Sequence, residues 1–276
     1  MVIDFHTHIY PDKIAARTIE ALTQSAQGVY AYTDGTLSGL LESMEQAEID
    51  KSVILPVATR KGQFDTINQF AMNINQTYSN LVSFGGIHPD DENIEEKLSF
   101  LKNNGIKGIK IHPDYTGIFI DDERYIRILS ECARLGLKVV THAGVDPAFD
   151  VIHCPPDKGR AVLDKVCALT GVKEPFLVFA HLGGMYVYKD VEKYLLGSNC
   201  YIDISCSFSS LKSFCDTDDE EVIRVIKAHG ADKILFATDS PWNGQKSYLE
   251  HFRSLSELSD NEKDLILYKN AEKILS

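Results

Sequence analysis

The chain has 276 residues, 44% of them hydrophobic and 25% charged, the composition of a globular protein with a substantial core. Its formal net charge of −12 argues against a nucleic-acid partner, because phosphate binding requires a basic surface, and no stretch approaches the roughly 20 apolar residues of a membrane span. The amino terminus enters a strand directly, without the basic and apolar regions of a signal peptide, so a cytoplasmic protein is expected.

In chain order, short apolar runs occupy 2–6 (VIDFH), 52–57 (SVILPV), 81–88 (LVSFGGIH), 106–112 (IKGIKIH), 137–142 (LKVVTH), 176–181 (FLVFAH), 200–205 (CYIDIS) and 233–239 (KILFATD). Helical patterns separate them. Ile94, Leu98 and Leu101 recur at i, i+4 and i+7, and RYIRILSECARLG is amphipathic and closes on Gly136, a helix-end signal. DDEEVIRVIKAHG begins with acids and ends with Lys227, His229 and Gly230, matching the helix dipole. Eight continuous apolar strands alternating with helices imply a parallel sheet covered on both faces. At this length the eightfold alternation favours an α/β fold of one domain, a closed (β/α)8 barrel over residues 1–276. No G-x-G-x-x-G opens a helix after a strand, so a dinucleotide-binding sheet lacks its fingerprint. Residues 24–37 form an excursion, expected as a loop or small cap near the barrel mouth.

The six cysteines, at 132, 154, 167, 200, 206 and 215, include no C-x-x-C pair, so neither a zinc ribbon nor a redox motif is written. Reduced thiols are expected. Cys132 and Cys167 fall in helical patterns as small core residues, whereas Cys154 lies in a loop segment and is the one to watch.

A barrel of this kind carries its catalytic groups at the carboxyl ends of its strands. Those ends hold His6 and His8, His88, Lys110 with His112, His142, His181 and Asp239, and His153 follows in the loop after the fifth strand. Strand alternation puts His6 and His8 on one side, together with Val2 and Asp4, but an H-x-H pair alone is weak. Seven of the nine histidines gather at strand ends or just beyond, while His229 and His251 fall in helical surface patterns. That concentration makes the first pair half of a metal site.

The segments DFHTH, THAG, FAHLGG and LFATDSPW resemble the metal-binding strands of the amidohydrolase superfamily. The similarity is closer to its decarboxylase-like branch of TIM-barrel metal-dependent hydrolases, which contains aminocarboxymuconate semialdehyde decarboxylase. It runs from the first strand to the last. The resemblance implies a divalent metal held by His6, His8, His142 and Asp239, with His181 orienting water or polarising the substrate. In two-metal members His142 and His181 would hold the second ion. Imidazoles and a carboxylate suit zinc first, and also manganese, iron or cobalt. Water activated by such an ion would attack a C–N or C–O bond, with Asp239 as general base and then acid.

Two-metal relatives bridge their ions through a carbamylated lysine or a glutamate on strand 4, where this chain has Lys110. An unmodified lysine, facing an anionic substrate or Asp4, is the expectation, so one ion is favoured over two. His88 and His112 precede prolines that mark strand exits, and each is either a pocket residue or a structural one. His153 and Arg160, in the loop after strand 5, either contact substrate or brace a turn. Trp242 is either a pocket wall or an anchor for the barrel mouth. The acidic run at 216–221 lacks EF-hand spacing and reads as a solvated helix start.

The principal reading is a metal-dependent hydrolase of a small molecule. The alternative is a lyase that removes CO2 or water from a small carboxylate with the same site. A nuclease of the related deoxyribonuclease branch would carry an acidic strand-4 ligand and a different overall charge, and a non-catalytic barrel would be missing ligands. Homodimerisation is an expectation by analogy.

Overall fold

The computed structural model describes residues 1–26, 29–211 and 217–276. Gln27 and Gly28 of the excursion, Cys215, and Asp216 of the acidic run lie outside the described residues. Nine strand segments alternate with helices: β1 (Ile3–Thr7), β2 (Lys51–Ile54), β3 (Leu81–Ser83), β4 (Gly85–Gly86), β5 (Gly108–Ile111), β6 (Lys138–Thr141), β7 (Leu177–Phe179), β8 (Tyr201–Asp203) and β9 (Ile234–Leu235). The helices are α1 (Asp12–Ser25), α2 (Leu37–Ala47), α3 (Phe64–Thr77), α4 (Ile94–Asn103), α5 (Pro113–Thr116), α6 (Glu123–Leu135), α7 (Pro156–Thr170), α8 (Tyr188–Tyr194), α9 (Asp219–His229), α10 (Gln245–Ser254), α11 (Asp260–Asp264) and α12 (Asn270–Leu275).

All strand pairs are parallel, in the orders β1-β2-β3 and β4 through β9. β3 and β4 are one barrel strand interrupted at Phe84: Ser83 pairs with Ile54 on one side and Gly85 with Ile109 on the other. That leaves eight barrel strands. The ring closes between the last and the first, where Phe5 N–H donates to Phe236 O at 2.9 Å and Asp239 N–H to His6 O at 2.8 Å. Asp4 locks this seam. It is fully buried and accepts from Thr238 N, Thr238 Oγ1 and Gln245 Nε2.

Alternate strand residues fall into two apolar clusters. Val53, Leu55, Val140, Val178 and Ala237 belong to one, and Ile54, Val139, Leu177 and Phe236 to the other, the period of a sheet buried on both faces. Helix ends follow the sequence signals: Asp122 caps α6, which closes on Gly136 at φ 68°, and Asp218 caps α9. His229 departs from its surface pattern. The last turn of α9 packs against the start of β8, so the ring is buried with Nε2 on Cys200 O at 2.9 Å. The excursion is also shorter than the sequence indicated, since α1 continues through Ser25. No helix among the described residues is long and apolar enough to cross a membrane.

Candidate metal centre

The register of β1 on β2 shifts between Asp4 and Thr7, which breaks the strict alternation predicted along the strand. Asp4 is taken up by the seam, while His6 and His8 line a cavity of about 770 Å³ at the carboxyl ends of the strands. His6 Nδ1 meets Asp203 Oδ2 at 2.9 Å, and His8 Nδ1 meets Leu55 O at 2.8 Å. Both partners are acceptors, so each Nδ1 carries the proton and each Nε2 presents a lone pair. These two Nε2 atoms lie 3.1 Å apart. Asp239 Oδ1 lies 3.1 Å from His8 Nε2 and 3.4 Å from His6 Nε2.

Three acceptor atoms therefore converge with no proton of their own to share, an arrangement that a cation stabilises. Their separations fit the ~3.3 Å edge of a tetrahedron of ligands at about 2.0–2.1 Å from an ion such as zinc. The donor set thus fits a divalent metal, and the carboxylate–histidine pairing of Asp203 with His6 is the second layer such sites use to fix the ring.

Asp239 follows β9 in the left-handed conformation at φ 65°. Cys206 Sγ donates to its Oδ2 at 3.2 Å, leaving Oδ1 to the imidazoles. Burial opposes ionisation of Asp239; positive charge on His6 and His8 would hold its carboxyl well below the usual range, and with both rings neutral that charge is left for a bound cation to supply. Asp203 behaves alike: burial opposes its charge, and His6, His181 and Ser205 outweigh that. Its Oδ1 accepts from the backbone N–H groups of His181 and Ser205, each at 3.0 Å. Lys110 is buried with Nζ 3.3 Å from His6 Nε2. Burial pulls its ammonium down to about 8, against the attraction of Asp203 and Asp239. Burial and Lys110 together lower His6 to about 3. His181, also at positive φ, pairs its Nδ1 with Ser205 Oγ at 2.9 Å.

The four residues that the resemblance implied do not form one group. His142 stands with His112 and Asp146, one ligand atom of each lying within 4.8 Å of the others. The His112 and His142 rings stack at 4.2 Å, and His112 Nε2 faces Asp146 Oδ2 at 3.3 Å. Burial lowers both imidazoles well below their ordinary value. His142 Nε2 is buried with no hydrogen-bond partner among the described residues. His181 sits between the groups, its ring 5.3 Å from that of His6 and 4.8 Å from that of His142.

Of the remaining candidates, Lys110, His112 and Trp242 line the cavity. His153 does not; it braces Asp114, whose Oδ1 accepts from its backbone N–H at 2.9 Å and faces its Nδ1 at 3.0 Å. Arg160 lies on α7, bound to Asp164 and Tyr194 O, outside the cavity lining. Lys110 contacts His6 and not Asp4. Cys154 is buried, and burial pushes its thiol up. Asp203, Ser205, Cys206, Asp114 and Asp146 were not among the sequence-level candidates, although each holds or extends the two groups.

A family model described as amidohydrolase matches residues 3–276. No curated protein matches the chain. Solved structures similar to it include an uncharacterized TIM-barrel protein from Bordetella bronchiseptica, at TM-score 0.72 and 17% identity over 99% of this chain and 98% of that one. Another is 2,6-dihydroxybenzoate decarboxylase from Rhizobium, at TM-score 0.70 and 13% identity over 99% and 98%. A third is 5-carboxyvanillate decarboxylase from Novosphingobium aromaticivorans, complexed with manganese, at TM-score 0.70 and 14% identity over 100% and 96%.

Proposed function

Because the chain belongs to the amidohydrolase family, we propose that it is a metal-dependent decarboxylase of a small carboxylic acid. His6, His8 and Asp239 hold one divalent ion in this reading, with His142 as a further ligand. The observation that carries it is the cavity floor, where the convergent acceptors of His6, His8 and Asp239 call for a cation beside the buried Lys110. In a chain of net charge −12, that floor is a place where a substrate carboxylate is drawn in. Support also comes from two of the similar structures, which are decarboxylases.

A divalent ion there would supply Lewis-acid polarisation of a carboxylate or carbonyl oxygen. Loss of CO2 breaks a carbon–carbon bond and leaves the electron pair on the substrate carbon, which then takes one proton. His181 is the residue assigned to relay it. Ser205 Oγ donates to Asp203 and so accepts from His181 Nδ1–H. That leaves Nε2 to take a proton from solvent water entering the cavity and pass it to the carbon. Asp203 keeps His6 in the tautomer that binds, and Lys110 opposes the substrate's negative charge. Hydrolysis is the second reading, in which Asp239, on the cavity lining, would serve as the general base for water. Zinc and manganese are the ions to compare. We place this chemistry on a small molecule in the cytoplasm, without nucleic acid or membrane.

The test is metal content by plasma mass spectrometry on chelator-free protein, with the native mass checked for carbamylation of Lys110, followed by a panel of 13C-carboxyl aromatic and aliphatic acids. Ion-dependent release of labelled CO2, abolished in Asp239→Asn and His6→Ala, is expected. Cleavage of amides, lactones or esters without CO2 would establish the hydrolase reading instead. Failure to take up any divalent ion would overturn the site itself.

A further inference from the structure

Burial orders the cavity lining into three levels. His6, Lys110, His142, His181 and Asp239 are buried and form the floor. Val57, Phe70 and Trp242, half-buried, make an apolar belt above it. Arg17, on α1, and Arg60, in the loop after β2, are exposed at the mouth. Of the eight arginines in the chain, Arg124, Arg127, Arg134, Arg160 and Arg224 are bound to acidic side chains. Among the described residues, the side chains of Arg17, Arg60 and Arg253 have no such partner, and two of these three border the cavity. The neighbouring Lys61 is already engaged by Glu92 at 2.9 Å.

Two uncommitted guanidinium groups from separate elements, at the entrance to one cavity of a strongly acidic chain, are placed to meet an anion. We infer that Arg17 and Arg60 form an anion subsite at the cavity mouth, and that the substrate is a dianion. Its reacting carboxylate lies on the floor, its apolar body runs along the belt, and a second carboxylate or a phosphate engages the guanidinium pair, the planar fork suited to both groups. The cavity falls within the roughly 300–1,000 Å³ of ligand sites, enough for such a spacer. The floor end of this assignment rests on the decarboxylase reading; the mouth end does not require turnover.

Isothermal titration calorimetry at low ionic strength on the metal-loaded protein would compare benzoate with benzene-1,4-dicarboxylate and with 4-carboxyphenyl methyl phosphate, a phosphodiester with one phosphate charge, so that both probes are dianions. A dianion is expected to bind about tenfold tighter than benzoate, with the gain shrinking at high salt. Whichever dianion gains more identifies the second group. The Arg17→Gln/Arg60→Gln variant should lose that gain while leaving benzoate affinity and Tm unchanged, and the double lysine variant should keep part of it. Equal binding of monoanion and dianions to the wild type, including no binding by any of them, would overturn the subsite, as would a gain that survives in the glutamine variant. Dianion preference without CO2 release from any acid leaves the subsite standing and removes the decarboxylase reading. Release of CO2 from monoanions without dianion preference does the reverse.

Discussion

Replacing Asp203 with Asn tests whether the metal centre is built through its second layer. The wild-type carboxylate accepts from His6 Nδ1 on one oxygen, and from His181 N, Ser205 N and Ser205 Oγ on the other. Asparagine keeps a single acceptor. If that oxygen retains the three contacts around Ser205, the amide N–H2 group faces the Nδ1 proton of His6, donor against donor. His6 must then move its proton to Nε2, the atom it offers to an ion; the opposite flip strands the two backbone donors instead. A hydrogen bond to a charged group is worth about 1.5–3 kcal/mol, so metal affinity should fall by about 10- to 100-fold, the range found for outer-shell partners. Competition with a chelator of known affinity gives the dissociation constant, and circular dichroism checks the fold. A metal affinity within about threefold of wild type would refute the tautomer argument, because the magnitude rests on that proton alone.

The metal-free protein should lose thermal stability as pH falls from about 7 to about 5. His6, His112, His142 and His181 all have their folded values lowered by burial. The unfolded chain therefore binds protons that the folded one resists, and the stability present above about 6.5 drains away below it. Asp4, which burial raises to about 6, and Asp114, which burial also raises, oppose this and fade as pH rises, but two carboxyls are set against these four imidazoles together with the lowered His88 and His229. A Tm that rises on acidification over this interval would contradict the count. Gly144→Ala should destabilise by about 3 kcal/mol, roughly 6–12 °C in Tm. Gly144 sits at φ 82°, and an added Cβ would lie 2.2 Å from Met185 N, where the loops after β6 and β7 bridge. An unchanged Tm by differential scanning calorimetry would show that these loops yield freely.

The barrel was legible because its signal is repeated. Eight apolar runs, seven of them ending in a polar residue, state both the sheet and the rim on which chemistry sits, and the structure brings His6, His8 and Asp239 of those ends together. The second layer was harder to find for particular reasons. Asp203 was hidden inside CYIDIS, although a carboxylate flanked by Ile202 and Ile204 in a buried strand is itself a signal, since such a charge requires a partner. Asp114 and Asp146 lie beyond their strands, where no periodicity operates and an acid reads as turn chemistry. The face of Asp4 departs from strict alternation because a β-bulge leaves no mark in the hydrophobic pattern, and the grouping of His142 with His112 and Asp146 brings together residues of separate strand ends and loops, which periodicity does not carry. No motif or periodicity marks Arg17 and Arg60, which only the cavity brings to one mouth.

The seam between β9 and β1 joins the two ends of the chain's strand order, and the first and last of the convergent acceptors belong to it: His6 on one side, Asp239 on the other, their backbones paired at 2.8 Å. Contacts of such long sequence separation form late in folding. An ion gripped by both residues would act as a clasp on the ring, assembled only once every intervening βα unit has been laid down. Amide hydrogen exchange along β1 and β9 should thus slow most on metal loading, and a partly built or locally opened barrel would release its ion before losing its helices.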